Sequence, residues 1–206
     1  MINPALLKAV IFDLDNTIYR ETDYLFPAYH AIGIHVAEKD NIDAPDAGEF
    51  LINNFLKSGR KNLFDKFIQH FNIRNTGIEE MMNILRTNKP EEKIEIFPGI
   101  RKILDTLLLQ QKKIFVLTNG NPSQQRNKIA CIDWGKIFND ITFVFADEIK
   151  RKPSPESVEF ILKKHELDTA NVLLIGDDIS DEEAAKTAGI HFIHADDLER
   201  LTDMIV

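Results

Sequence analysis

Five short, dense apolar runs constrain this chain most: Ala9–Phe12, Ile114–Leu117, Ile141–Phe145, Val172–Ile175 and Ile190–Ile193. Runs of this length, rich in Val, Ile and Phe and without polar alternation, suit β-strands buried on both faces. Stretches of helical period separate them. Ile100, Ile103, Leu104, Leu107 and Leu108 fall at i, i+3, i+4, i+7 and i+8, which makes one apolar stripe. Val158, Ile161 and Leu162 repeat the pattern more briefly. Helix starts are marked too. Asn121-Pro122-Ser123-Gln124 offers an N-cap, a proline at the first helical position and a glutamine at N3. Ser154 and Pro155 form a second such start, and Ser180-Asp181-Glu182-Glu183 has the form of a capping box, with Gly189 as the left-handed stop. Strand alternating with helix predicts an α/β fold built on a doubly wound parallel sheet.

The first strand departs from that rhythm. Roughly eighty residues, too many for a structureless loop, separate Thr17 from the next strand–helix unit near Phe97. Apolar residues recur there at helical spacing in four groups: Ile32 and Val36; Phe50, Leu51 and Phe55; Leu63, Phe64, Phe67, Ile68 and Phe71; Ile78, Met81, Met82 and Leu85. Four helices are expected, with loops at Asn41–Gly48 and Ser58–Asn62. The interval is therefore an inserted all-α subdomain.

Polar residues just beyond the apolar runs carry the chemistry. Phe12 leads into Asp13-Leu14-Asp15-Asn16-Thr17, Leu117 into Thr118-Asn119-Gly120, and Ile175 into Gly176-Asp177-Asp178-Ile179-Ser180-Asp181. Phe145 leads through Asp147 and Glu148, expected as structural or rim residues, to Lys150-Arg151-Lys152-Pro153. In an open parallel sheet these tails emerge at one edge, where ligands bind. Asp13 and Asp15 are two apart, so an extended backbone would point both carboxylates the same way. Such a pair needs a cation nearby, and Asp177 adds a third oxygen donor. Hard oxygen donors suit Mg²⁺, which commonly binds phosphate as well. Thr118 and the amides around Asn119-Gly120 can donate to anionic oxygens, and Lys152 supplies a compact positive charge. A nucleophile, a metal, anion donors and a lysine make a phosphoryl-transfer site.

Composition removes other classes. A net charge of -8 argues against a phosphate-backbone binder, so no nucleic acid partner is expected. The single cysteine, Cys131, excludes an internal disulfide and reads as a small core residue. The six histidines show no metal spacing. No apolar run approaches the roughly 18 residues of a membrane span, and Met1–Ala9 lacks the pattern of a secretory signal. A cytoplasmic chain away from the membrane is expected, and the sequence sets no oligomeric state.

In this order, on four strand ends, Asp13-Leu14-Asp15-Asn16-Thr17, Thr118-Asn119-Gly120, Lys152-Pro153 and Gly176-Asp177-Asp178-Ile179-Ser180-Asp181 resemble the four motifs of the haloacid dehalogenase-like (HAD) hydrolase superfamily. The resemblance spans nearly the whole chain, because the insertion falls where that superfamily places its type 1 cap. It implies a Rossmann-like core at 1–17 and 96–206, an inserted helical cap at 18–95, Mg²⁺ and a phospho-aspartate intermediate. By motif position Asp13 would be the nucleophile and Asp15 the general acid and base. Thr118 and Asn119 would hold the phosphate, and Lys152, favoured over Lys150, would steady Asp13 and the phosphate. Asp13 and Asp177 would bind the metal, with Asp15 giving its backbone carbonyl. Asp178 stands where many members carry Ser or Thr, so the outer metal shell falls to Asp178 or Asp181.

The implied activity is Mg²⁺-dependent hydrolysis of a small-molecule phosphomonoester. Asp15 decides against a dehalogenase, which needs no acid there. A phosphomutase shares all four motifs, and a non-catalytic phosphate-binding scaffold or a phosphoaspartate receiver are further alternatives. A receiver fits poorly, because it accepts phosphate on a middle strand and carries no helical insertion. Tyr19, two after Thr17, makes Asp13–Tyr19 similar to the pyrimidine 5′-nucleotidase-like branch and points to a nucleoside monophosphate. Phosphoglycolate phosphatase-like enzymes are the other branch.

Overall fold

The computed structural model describes residues 6–197. Part of the Met1–Ala9 segment therefore lies outside the described residues. Five parallel strands form one sheet: β1 (Ala9–Phe12), β2 (Lys113–Thr118), β3 (Ile141–Phe145), β4 (Val172–Gly176) and β5 (His191–His194), in the order β3-β2-β1-β4-β5. The strands match the apolar runs to within a residue at each end. Burial on both faces explains why those runs do not alternate. Ala9, Ile11, Phe115, Leu117, Val144, Val172 and Leu174 share one buried cluster. The intervening Val10, Phe12, Ile114, Val116, Leu173 and Ile175 are equally buried on the other face. Each large side chain so buried contributes about 1.5–3 kcal/mol. The first cluster also takes Val158 and Ile161 from α7 (Glu156–His165) and Ala184 and Ala185 from α8 (Ile179–Ala188).

Contacts divide the chain into two compact units. Among the described residues, one holds 6–20, Glu95–Gln125 and 132–197; the other holds Glu21–Ile94 and Arg126–Cys131. The second contains α1 (Thr22–Asp40), α2 (Ala44–Ser58), α3 (Leu63–Phe71) and α4 (Ile78–Thr87). The first contains α5 (Pro98–Leu109), while α6 (Pro122–Cys131) begins in the first unit and ends in the second. Sequence reasoning leaves those last six residues with the sheet. Their side chains explain the difference. Asn127 Nδ2 donates to the Tyr24 hydroxyl at 2.9 Å and to the Asn88 carbonyl at 2.7 Å, and Lys128 Nζ donates to Glu21 Oε1 at 2.9 Å.

Three local expectations need correction. The segment read as a loop over Asn41–Gly48 is a loop only to Asp43, because the Asp43 side chain accepts from the Asp46 amide at 3.0 Å and Pro45 presets the first turn of α2. Its turn-like composition belongs to a capped helix start. Ser154 is not the cap of α7; that helix begins at Glu156 after Pro155. Nor is Ser180 the cap of α8. Asp178 holds that place and forms the capping box with Asp181.

Gly48 lies inside α2 because α1 approaches it closely. A Cβ at Gly33 would stand 2.7 Å from the Gly48 amide nitrogen and 2.9 Å from the Ala44 carbonyl oxygen, so both positions must stay bare. Gly33→Ala forces the helices apart and should lower stability by about 1–3 kcal/mol, read by urea unfolding. A wild-type midpoint in this variant would refute the close approach.

Asp40, at the end of α1, receives the amides of Arg74 at 2.7 Å and Asn75 at 2.8 Å on Oδ1, and the Thr76 hydroxyl at 3.0 Å on Oδ2. Desolvation alone would raise its pKa, but these donors outweigh it and hold the carboxyl below its ordinary 3.8. A lowered folded pKa means stabilisation that is complete above the ordinary value and lost as the pH falls through the lowered one. The stability gap between wild type and Asp40→Asn should therefore shrink as urea titrations move from neutral pH to below 3.8. A gap independent of pH would refute it.

Candidate active site

β1 is the point at which the sheet order turns. Its successor β2 lies on one side and β4 on the other, so the residue after β1 faces the crevice between diverging connections. That residue is Asp13, whose amide donates to the Ile175 carbonyl of β4 at 2.8 Å. The ends of β2 and β4 and the segment after β3 bring Thr118, Asp177 and Lys152 to the same edge.

Lys152 is 5% exposed, and its ammonium donates to Asp13 Oδ1 at 2.5 Å, Asp181 Oδ1 at 2.5 Å and the Leu117 carbonyl at 3.0 Å. Three donors meet three acceptors. The neighbouring cations stay outside. Lys150 pairs with Glu156 and Arg151 with Asp147 at exposed positions. Asn119 fixes the main chain of Lys152 from both sides. Its Nδ2 donates to the Lys152 carbonyl and its Oδ1 accepts from the Lys152 amide, each at 2.9 Å.

Asp181 lies in the first turn of α8 and is 1% exposed. One oxygen holds Lys152 and the other accepts the Asp178 amide at 3.2 Å, closing the capping box. Gly176 must be glycine here, because a Cβ would collide with the Asp181 carboxyl group. Asp178 itself turns to the Ser180 amide at 2.8 Å, which holds its carboxyl below the ordinary value.

Asp13, Asp177 and Asp181 offer carboxylate oxygens within 4.8 Å of one another. Burial, with the charge of Asp181 beside it, pushes the Asp13 carboxyl up to about 7 despite the opposing pull of Lys152. Burial also raises Asp177, helped by Asp181 and Asp178. Desolvation pulls the Lys152 ammonium down, and the two carboxylates at its tip more than reverse this. Three carboxylates against one ammonium leave an excess of negative charge that a divalent cation would neutralise, and the donors are the hard oxygens Mg²⁺ takes. The set fits such an ion.

Asp15 stays near enough to Asp13 for its charge to help raise the Asp13 carboxyl. β1 ends at Phe12 and the chain turns, with Asn16 left-handed at φ 57°, so Asp13 and Asp15 take separate partners. Asp15 Oδ1 accepts the Tyr19 hydroxyl at 2.6 Å, and Oδ2 accepts Gln125 Nε2 at 3.2 Å. The same Gln125 nitrogen lies 2.5 Å from Thr118 Oγ1 and 3.0 Å from the Asn119 carbonyl. Asp147, expected as a structural or rim residue, accepts the Gly120 amide at 2.8 Å and thereby holds the turn after β2.

Gln125 and the Tyr19 hydroxyl escape sequence reasoning, as does the direct grip of Asp181 on Lys152. One signal for Gln125 exists: Pro122–Cys131 reads PSQQRNKIAC, a helix with almost no apolar stripe, so its inner face must bury polar groups.

Comparisons with known proteins bear on the family and the fold. The phosphoglycolate phosphatase of Pseudomonas putida is 24% identical over 91% of this chain and 69% of its own length. A phosphorylated carbohydrates phosphatase of Thermotoga maritima is 24% identical over 91% of this chain and 84% of its own. Among solved structures, a Thermotoga maritima protein assigned as a β-phosphoglucomutase superposes with a TM-score of 0.70 at 18% identity, covering 97% of this chain and all of that one, which shows a shared fold. The sequence model of haloacid dehalogenase-like hydrolases matches residues 10–195, and the chain belongs to that family.

Proposed function

We propose that the protein is a Mg²⁺-dependent phosphatase of small phosphomonoesters. The observation that carries this reading is the buried Lys152 ammonium bridging Asp13 and Asp181 beside Asp177, at the carboxyl edge of the sheet. It supports a nucleophilic carboxylate held in place beside a cation-binding cluster. Asp13 attacks phosphorus, forming an acyl phosphate while the bond to the ester oxygen breaks. Asp15 gives its proton to that oxygen and then takes one from the water that cleaves the acyl phosphate. The Thr118 hydroxyl and the main-chain amide of Asn119 would hold the phosphoryl oxygens, and Lys152, whose ammonium is taken up by protein acceptors, would add its positive charge beside them. Magnesium on Asp13, Asp177 and Asp181, with the Asp15 main-chain carbonyl, would supply charge neutralisation for the phosphoryl group. Asp178, occupied with the helix cap, supports this set through Asp181.

The relatives named for phosphoglycolate and phosphorylated carbohydrates support small phosphorylated metabolites as substrates. The nucleotide reading rests on Tyr19, which is fully buried with its hydroxyl on Asp15. That burial removes Tyr19 as a contact for a nucleobase and ranks nucleoside monophosphates second. The fold shared with a protein assigned as a β-phosphoglucomutase keeps phosphoryl transfer to a second sugar hydroxyl as the alternative.

Asp13→Asn should lower turnover of p-nitrophenyl phosphate at least about a thousandfold, and EDTA should abolish wild-type turnover until Mg²⁺ is restored. Undiminished turnover in the variant would overturn the assignment. In a metabolite screen read by released phosphate, sugar phosphates and phosphoglycolate should exceed nucleoside monophosphates in kcat/KM. Isomerised ester without free phosphate would establish the mutase instead.

A further inference from the structure

We infer that Tyr19 and Gln125 are positioning residues that determine which oxygen of Asp15 exchanges the proton. This rests on the function proposed above and deepens it. Tyr19 is fully buried and Gln125 is 2% exposed, so both donors are shielded from solvent, while Asp15 itself is half-buried. The two contacts differ. The Tyr19 hydroxyl lies 2.6 Å from Oδ1, a full-strength bond, whereas Gln125 Nε2 lies 3.2 Å from Oδ2 and closer to Thr118 and Asn119.

A protonated carboxyl group has one hydroxyl and one carbonyl oxygen, and a donor pressed against Oδ1 keeps that oxygen as the acceptor. With Oδ1 held by Tyr19, Oδ2 is the oxygen left to exchange a proton with the substrate. As the Asp13–phosphorus bond forms and the bond to the ester oxygen breaks, the proton passes from Oδ2 to the departing oxygen. Oδ2 then recovers a proton from the attacking water, and Oδ1 keeps the Tyr19 bond throughout. Gln125 adds a second restraint. One amide joins Asp15 to the Thr118 hydroxyl, so the acid and a phosphate ligand share a fixed geometry. Tyr19 lies four residues after Asp15 on the same turn and Gln125 enters from α6, so two separate segments hold the one carboxylate.

A merely structural tyrosine and a positioning one are separable by leaving group. Protonation matters most when the departing oxygen is basic, as in phenyl phosphate, and less for p-nitrophenyl phosphate, whose ring is nearly the same size. Tyr19→Phe should lose about tenfold more kcat/KM on phenyl phosphate than on p-nitrophenyl phosphate, with KM for the two esters changing alike. Gln125→Met should shift the same ratio in the same direction, by about threefold, and carries the test if Tyr19→Phe does not fold. Equal losses on both esters in a folded variant would overturn the inference and leave the phosphatase reading standing. A wild-type protein that hydrolyses neither ester in Mg²⁺ would overturn both.

Discussion

A buried ammonium between two buried carboxylates is a costly arrangement, and here most of the site is organised around it. Taking Lys152, Asp13 and Asp181 out of water carries a desolvation penalty that only close, complete pairing offsets. The structure provides it through two carboxylate oxygens at 2.5 Å and one carbonyl at 3.0 Å. Removing Lys152 would leave the two buried carboxylates facing each other without their cation, a change that costs about 3–5 kcal/mol in buried pairs. The arrangement also orients Asp13, the proposed nucleophile. With Oδ1 of Asp13 fixed on Lys152, the carboxyl plane is set before any substrate arrives, and preorganised polar groups of this kind account for much of enzymatic rate enhancement.

The groups that build this arrangement serve the backbone as well. Asp181 completes the capping box of α8 with one oxygen and grips Lys152 with the other. Asn119, at the end of β2, holds the Lys152 main chain through both ends of its amide. Gly176 is bare so that Asp181 can lie against it. Each motif is therefore a folding device and a chemical device together. A substitution at Asp181 would disturb the helix start and the lysine at once, and a loss of activity there would not isolate a metal-ligating role.

The helical unit follows the same economy with different chemistry. Lys128 is 2% exposed, and its ammonium meets Glu21 and lies 5.6 Å above the Tyr24 ring, while Arg60 approaches Glu21 from the loop after α2. Two cations on one buried carboxylate fix Glu21, the residue at which the chain enters the unit. The same α6 that gives Gln125 to Asp15 thus gives Lys128, three residues later, to the start of the helical unit.

The strands were legible because a strand buried on both faces must be apolar at every position, and few other structures demand that of four or five consecutive residues. The motif residues were legible for a related reason: polar side chains immediately after such strands have only the sheet edge to occupy. Helix boundaries were less so. Ser180 and Asp178 are both good caps in isolation, and Asp178 prevails because it lets Asp181 reach Lys152, a contact 29 residues apart in the chain. Gln125 and the Tyr19 hydroxyl depended on contacts still more remote from local pattern. A glutamine in a polar helix normally faces solvent, and a tyrosine after a strand normally packs its ring. Only the convergence of β1, β2 and α6 on Asp15 turns both inward, and that convergence is a property of the assembled sheet that no local run of residues encodes.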